Sequence, residues 1–236
     1  LPHWERPSEM LKWILSLPLA LFILFNAYVY GGIITYRAVA PHRSAFMTAR
    51  MAEFRSEGRD IRLDYRWRGY ADISDHLKKA LIASEDASFA EHSGFDWNGI
   101  RNAVRRNSQS GKIKGGGSTI SQQLAKNLFL SEWQSYIRKG EEAAITAMLE
   151  ATTDKDRIFE LYLNVIEWDY GVYGAEAAAQ RFYGKPAAAL TARQAAALAA
   201  RVPAPLFYAD NPQSRRLRAK TDIIRRRMGS AELPEE

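Results

Sequence analysis

Hydrophobic and polar positions divide the chain into two unequal regimes. From Trp13 to Tyr36 there are 24 consecutive residues without a charged side chain, bounded by Lys12 and Arg37. A helix of that length reaches ~36 Å, enough to cross a hydrocarbon core ~30 Å thick. Pro18, Asn26, Gly31 and Gly32 interrupt it mildly, as membrane helices tolerate. Trp13, Tyr28, Tyr30 and Tyr36 lie towards its ends, where interfacial aromatics sit. A cleaved signal peptide has a shorter apolar region and a small-x-small site, which this stretch lacks, and the length also speaks against a buried core helix. The pattern predicts one transmembrane helix over 13–36. Arg6 and Lys12 precede it and Arg37, Arg43 and Arg50 follow, so charge counting alone does not place the N-terminus inside. That rule weakens when a long domain follows the span.

Behind the span, residues 37–75 read as a connector, with a short amphipathic stretch from Phe46 to Phe54 and strand-like alternation from Ile61 to Tyr65. From His76 onwards apolar residues recur at helical spacing, with no internal repeat and no strand-turn-strand pattern. The periodicity predicts helices at 76–90, 97–107, 118–130, 135–152, 154–166, 174–182, 192–201 and 213–228. Thr191 and Gln194 form a capping-box signature ahead of the Ala-rich helix, and Pro203 stops it. Short, unequal helices with polar loops fit a mainly α domain better than a regular bundle. The expected organisation is an N-terminal flank (1–12), the span (13–36), the connector (37–75) and an α-helical domain (76–236).

Composition narrows the chemistry. With no cysteine, disulfides, thiolate zinc sites and a cysteine nucleophile are excluded. The 236 residues suffice for a sizeable core, and 47% hydrophobic with 25% charged residues is neither disordered nor fibrous. The formal charge of +6 invites a nucleic-acid reading, but it is local: between Arg215 and Arg227 there are seven basic residues and one acid, Asp222, so the rest of the chain is neutral. Leu217, Ile224 and Met228 give that segment an apolar line. Beside a membrane span, clustered arginines are better matched to anionic head groups, at about 1 kcal/mol each, than to nucleic acid.

Four constellations carry candidate chemistry. In the first, Glu85-Asp86-x-x-Phe89-x-x-His92-x-Gly94, Glu85 continues the Leu77, Leu81 stripe at i+4 spacing. A partly desolvated carboxylate takes up a proton more readily than one in water, as a general base must. An ion pair or cap is the plainer reading of that residue taken alone. In the second, Gly115-Gly116-Gly117-Ser118-Thr119 delivers backbone N–H groups to a helix start, an anion-friendly geometry. Ser118, Gln122 and Lys126 then share one helical face, and Ile120, Leu124 and Leu128 the other. No Lys directly precedes the Ser or Thr, so this is no Walker A loop. In the third, Arg138-Lys139-x-x-Glu142, a surface i, i+4 pair is the plainer reading, and cations near two glutamates suggest an anionic substrate. The fourth, Tyr162-Leu163-Asn164 with Glu167, Gly171 and Gly174, reads mostly as scaffold around a tight turn.

In this order and spacing the blocks resemble the peptidoglycan glycosyltransferases, most nearly the monofunctional biosynthetic type; Val202-Pro203-Ala204-Pro205 is similar to a further block. The resemblance spans roughly 40–225. It implies a partly lysozyme-like α-helical fold on the outer face of the bacterial cytoplasmic membrane, polymerising lipid II into glycan strands. It implies that Glu85 is the base deprotonating the acceptor 4-hydroxyl, which attacks the donor anomeric carbon with inversion and releases undecaprenyl pyrophosphate. Lys126, Arg138 and Lys139 would offset charge on that leaving group, with Glu142 an assisting carboxylate that orients donor groups or a divalent ion. Asp86, Phe89, His92, Ser118, Gln122, Gln123 and Asn127 would complete the substrate site. Mg²⁺ is implied as an optional aid, with no dedicated cage. The implied partners are lipid II, the lipid-linked glycan chain, membrane lipids at 13–36 and at the basic 215–227 segment, and cell-wall synthesis proteins.

Three positions depart from the family pattern: Gln134 where an Arg is common, Asp169 where a Gly is usual, and Ala204 where an Asn is usual. The chain has no Ser-x-x-Lys motif and is too short for a second catalytic domain, so glycan synthesis without cross-linking is expected. A lytic enzyme of lysozyme-like fold and a non-catalytic membrane adaptor are the rival readings. The first needs a catalytic acid and no pyrophosphate clamp; the second would survive loss of Glu85.

Overall fold

The structure, a computed structural model, describes residues 7–110, 117–130 and 135–234, without the side chains of 7–15, 103, 104, 106, 107, 109 and 110. Gly115, Gly116 and Gln134 lie outside the described residues, as does the side chain of Trp13. The chain is mainly α. Helix α1 (Pro7–Tyr36) contains the apolar run, and Ser16–Tyr36 is long and apolar enough to cross a membrane. Its middle is uncovered: Leu17 to Leu24 leave most of their large apolar side chains exposed. Among the described side chains the C-terminal turns dock on the rest of the protein, where Val29 and Ile33 are buried. Gly32 faces Phe129 so closely that a Cβ would lie 2.9 Å from the ring. Arg157 fixes the helix end, its Nε donating to the Tyr36 carbonyl at 2.9 Å and its Nη2 to that of Val39 at 3.0 Å.

The segment read as a connector contains α2 (Ala45–Ser56), capped by Ser44, whose Oγ accepts from the Met47 N–H. Phe46 and Met47 of α2, and Ile73 beyond it, belong to the same core as the later helices. This half of the connector is therefore packed structure, tied in by apolar contacts that its weak amphipathicity did not announce. The strand expected over 61–65 shrinks to β1 (Asp64–Tyr65).

Helix α3 (Asp75–Glu85) is followed by α4 (Trp97–Ser110), α5 (Ile120–Phe129), α6 (Tyr136–Thr152) and α7 (Lys155–Val165). After these come α8 (Ala175–Tyr183), α9 (Ala192–Ala199), α10 (Pro205–Asp210) and α11 (Arg215–Arg227). All eight predicted helices exist, and α10 is additional. The first ends at Glu85 rather than residue 90. Asp86 leaves the helix with φ −162° because its carboxylate is engaged elsewhere, as described below. The capping box of Thr191 and Gln194 starts α9 as predicted. Ala204 is the N-cap of α10 and has no side-chain cap, so the Asn that the family pattern expects there would supply a hydrogen bond that alanine cannot.

A small hairpin, β2 (Glu167–Asp169) and β3 (Val172–Tyr173), lies in the region beyond His76 where only helices were expected. With β1 it makes a three-stranded sheet of order β1-β3-β2, β1 parallel and β2 antiparallel to β3. Asp64 pairs with Val172 and Tyr65 with Tyr173, while β2 carries an irregularity between Glu167 and Asp169. Gly171 makes the turn possible: it has φ +70°, and a Cβ would stand 2.4 Å from the Arg62 carbonyl oxygen. Gly171→Ala is expected to lose at least ~2 kcal/mol, combining left-handed strain with that clash. In a chain of this size the melting temperature should then fall by roughly 4–8 °C. A variant melting within a degree of the parent would show that the turn can relax. Asp169, the departure within this hairpin, is buried and compensated: its Oδ2 accepts from Arg181 Nε at 3.1 Å and its Oδ1 from the Tyr170 N–H.

Candidate active site

Glu85 ends α3 at the wall of a cleft of about 600 Å³, whose other walls include Asp86, Ser118, Gln123, Pro203 and Lys220. Three side chains orient its carboxylate. The Ser84 hydroxyl donates to Oε1 at 2.8 Å and the Gln123 amide donates to Oε2 at 3.3 Å. The Lys220 ammonium stands 3.9 Å from Oε1. Gln123 is itself held, because the Tyr162 hydroxyl donates to its Oε1 at 3.1 Å. Burial first, and then the charges of Glu85 and Asp86, push the Tyr162 phenol well above its ordinary value. It therefore stays a donor, which fixes which end of the Gln123 amide meets Glu85. Tyr162 thus acts at the site, where sequence reading made it scaffold.

Asp86 and His92 brace the loop that follows Glu85. His92 Nε2 lies 2.9 Å from Asp86 Oδ1, and Asp86 Oδ2 accepts from the Ile120 N–H at 2.9 Å. One buried carboxylate thus ties the end of α3 to the start of α5, a charge-assisted link across the floor of the cleft. The intervening loop is clamped at Gly94, with φ +85°, whose carbonyl accepts from the Thr119 hydroxyl at 2.7 Å. Phe89 has no exposed surface and packs on Phe159 with ring centroids 5.3 Å apart. It supports the loop from behind and is placed to touch no substrate.

Helix α5 begins with a second capping box: the Thr119 hydroxyl accepts from the Gln122 N–H, and Gln122 Oε1 accepts from the Thr119 N–H at 3.0 Å. Gln122 is buried, so its carbonyl caps the helix instead of facing the cleft with Ser118 and Lys126. The Thr-x-x-Gln signature that marks α9 was equally present here. Gln123, one position on, is the residue that reaches Glu85. A smaller cavity of about 240 Å³ shares Gln123 and Pro203 with the cleft and is lined by Lys126, Asn127, Arg50 and Glu167. The two cavities meet at Gln123 and Pro203, with Glu85 lining the larger and Lys126 the smaller.

On α6, Glu142 is buried between two cations, Arg138 Nη1 at 3.0 Å from Oε2 and Lys139 Nζ against Oε1. Lys139 also lies 3.3 Å from Ser118 Oγ, which brings the third constellation to the rim of the Glu85 cleft. Among the described residues no three His, Asp or Glu side chains converge to hold a metal ion. A divalent ion at Glu142 would have to displace one of the cations, so this donor set does not fit that role.

Lys220 is the functional residue that sequence reading missed. It comes from α11, whose Leu217 and Ile224, with Met228 just beyond it, are buried beside α9 and α3, so the basic segment packs one face on the core. Desolvation pulls the Lys220 ammonium below its ordinary value, opposed by the Glu85 charge. It therefore loses its charge at lower pH than an exposed lysine. The charge count singled out its cluster without distinguishing the one member that turns inward.

Residues 54–229 match the family model described as Transglycosylase. The chain is 73% identical over 227 residues to a biosynthetic peptidoglycan transglycosylase of Neisseria meningitidis serogroup A, covering 96% of this chain and 97% of that one. It is 71% identical over the same length, with the same coverage, to a protein of that name from Neisseria gonorrhoeae. A carboxylate held in a cleft and flanked by cations is thus found in a chain that belongs to the transglycosylase family.

Proposed function

We propose that the cleft polymerises lipid II into peptidoglycan glycan strands by inverting glycosyl transfer, releasing undecaprenyl pyrophosphate. The observation that carries this reading is Glu85, held by Ser84, Gln123 and Lys220 in a groove that meets the Lys126 cavity at Gln123 and Pro203. Glu85 takes the proton of the acceptor 4-hydroxyl, whose oxygen forms the new bond to the donor anomeric carbon as the bond to pyrophosphate breaks. Charge gathering on the departing pyrophosphate is offset by Lys126, Arg138 and Lys139, which act without a metal because they are already placed. Ser118, beside Lys139, and Asn127, beside Lys126, supply hydrogen bonds at the two ends of the groove. The pairing of one carboxylate with several cations, rather than with a second acid, favours synthesis over lysis.

Residues 16–36 then anchor the chain in the bacterial cytoplasmic membrane with the cleft on the outer face, which lets a lipid-linked substrate arrive from the bilayer. The exposed Arg215, Arg216 and Arg225 to Arg227 of α11 meet anionic head groups in the same reading. Incubating the detergent-solubilised chain with lipid II, with and without Mg²⁺, tests it. Glycan polymer and free undecaprenyl pyrophosphate are expected. Cleavage of preformed glycan with no polymer would sink the reading. A strict Mg²⁺ requirement, with the residual turnover of Glu142→Gln needing a much higher Mg²⁺ concentration than the parent, would place the ion at Glu142 and overturn the side-chain clamp.

A further inference from the structure

Where α1 meets the domain there is a cavity of about 380 Å³, lined by Ile34, Arg37, Ala38, Thr153, Asp154 and Arg157. It shares no residue with the catalytic groove. Its volume falls within the ~300–1,000 Å³ of small-molecule sites.

Its chemistry is specific. Arg37 and Asp154 make no ion pair among the described residues, and Asp154, the N-cap of α7, makes no capping bond either. Arg157 donates to two carbonyls of the chain leaving α1 and pairs with Glu160 at 3.0 Å. A guanidinium carries five N–H groups, so two remain to Arg157. Thr153, 8% exposed, has a buried hydroxyl with no hydrogen-bond partner among the described residues. The cavity thus offers guanidinium groups for a phosphate and a free carboxylate for a cation, with Ile34 forming an apolar edge.

Its position selects among ligands with that pattern. Ile34 and Tyr36 belong to the last turns of the apolar stretch, so the cavity opens where that stretch ends and charge resumes at Arg37. In a membrane-anchored chain that is the level of lipid head groups.

We propose that this cavity binds one zwitterionic phospholipid bearing a primary amine, a phosphoethanolamine head group. Its phosphodiester lies between Arg37 and Arg157, its ammonium meets Asp154, and its glycerol end follows Ile34 towards the bilayer. A phosphocholine offers Asp154 no N–H donor, and a phosphoglycerol offers it no cation. The inference rests on the membrane-anchoring reading above.

The test separates the two. Flotation of the full chain with phosphatidylcholine vesicles comes first; a chain that stays in the soluble fraction overturns the anchoring reading and this site with it. The floating chain is then placed in nanodiscs of equal phosphatidylethanolamine, phosphatidylcholine and phosphatidylglycerol, and retained lipid is read by native mass spectrometry. One phosphatidylethanolamine is expected, held about tenfold over phosphatidylcholine, the scale of one charge-assisted contact. Arg37→Gln should lower retention of all three lipids. Asp154→Asn, which keeps a good N-cap residue and so the fold, should remove the preference for the amine while leaving lipid bound. Equal retention of the three lipids, preference for phosphatidylglycerol, or variants that match the parent would each overturn the proposal, with the anchor intact.

Discussion

Glu85→Gln should reduce lipid II polymerisation by ~10²–10⁴-fold, the contribution of a positioned general base. The amide is nearly the same shape and can still accept from Ser84, which donates at 2.8 Å to the native Oε1. Neither the melting temperature nor the affinity for lipid II should change much, so the loss belongs to turnover. Lys220, 3.9 Å away, loses its counter-charge, while the Tyr162–Gln123 bond that aims the amide remains. Initial rates with purified lipid II measure the effect. A variant retaining a tenth of the parent rate would remove Glu85 from the role of base and revive the reading of a non-catalytic adaptor.

The second large effect is expected at Glu142. Its carboxylate is 3% exposed and separates Arg138 from Lys139, whose charges otherwise repel at close range. Without it the two cations splay, and the position of Lys139 against Ser118 is lost. Glu142→Gln should therefore cut turnover by ~10²–10³-fold, comparable to removing a preorganised charge-stabilising group. Glu142→Asp, which keeps the charge on a shorter stem, should recover part of that loss. If Glu142→Gln turned over within threefold of the parent, the Arg138, Lys139 pair would need no carboxylate to hold it. The Glu142 variants act through the positions of other groups, whereas the Glu85 variant removes the proton acceptor itself.

How far such a site can be read from residues alone depends on whether its contacts are local. The 24 uncharged residues near the N-terminus and the 3.6-residue periodicity of the later helices are local patterns, and the structure has an apolar helix and a helical domain where they lie. Glu85 was legible because it completes a stripe on its own helix. Gln122 and Gln123 were not separable by periodicity, since adjacent residues differ by only about 100° around a helix. The capping box that removes Gln122 from the groove was nevertheless written in Thr119-x-x-Gln122. Lys220 was illegible for a different reason. Its partner is remote in the chain, and only the burial of Leu217 and Ile224 decides which basic residue of α11 turns inward. The β2–β3 hairpin was hidden because its strands are two or three residues long, too short for alternation to register beside a Gly turn.

The seam between α1 and the domain has a mechanical consequence. Val29 and Ile33 are buried, Gly32 lies against Phe129, and Arg157 grips the carbonyls of Tyr36 and Val39. These contacts pin the end of α1 to the domain, so in the membrane-anchored reading proposed above the helix and the groove are one body. In that reading a tilt of the helix in the bilayer would reorient the groove, and with it the heading of an emerging strand.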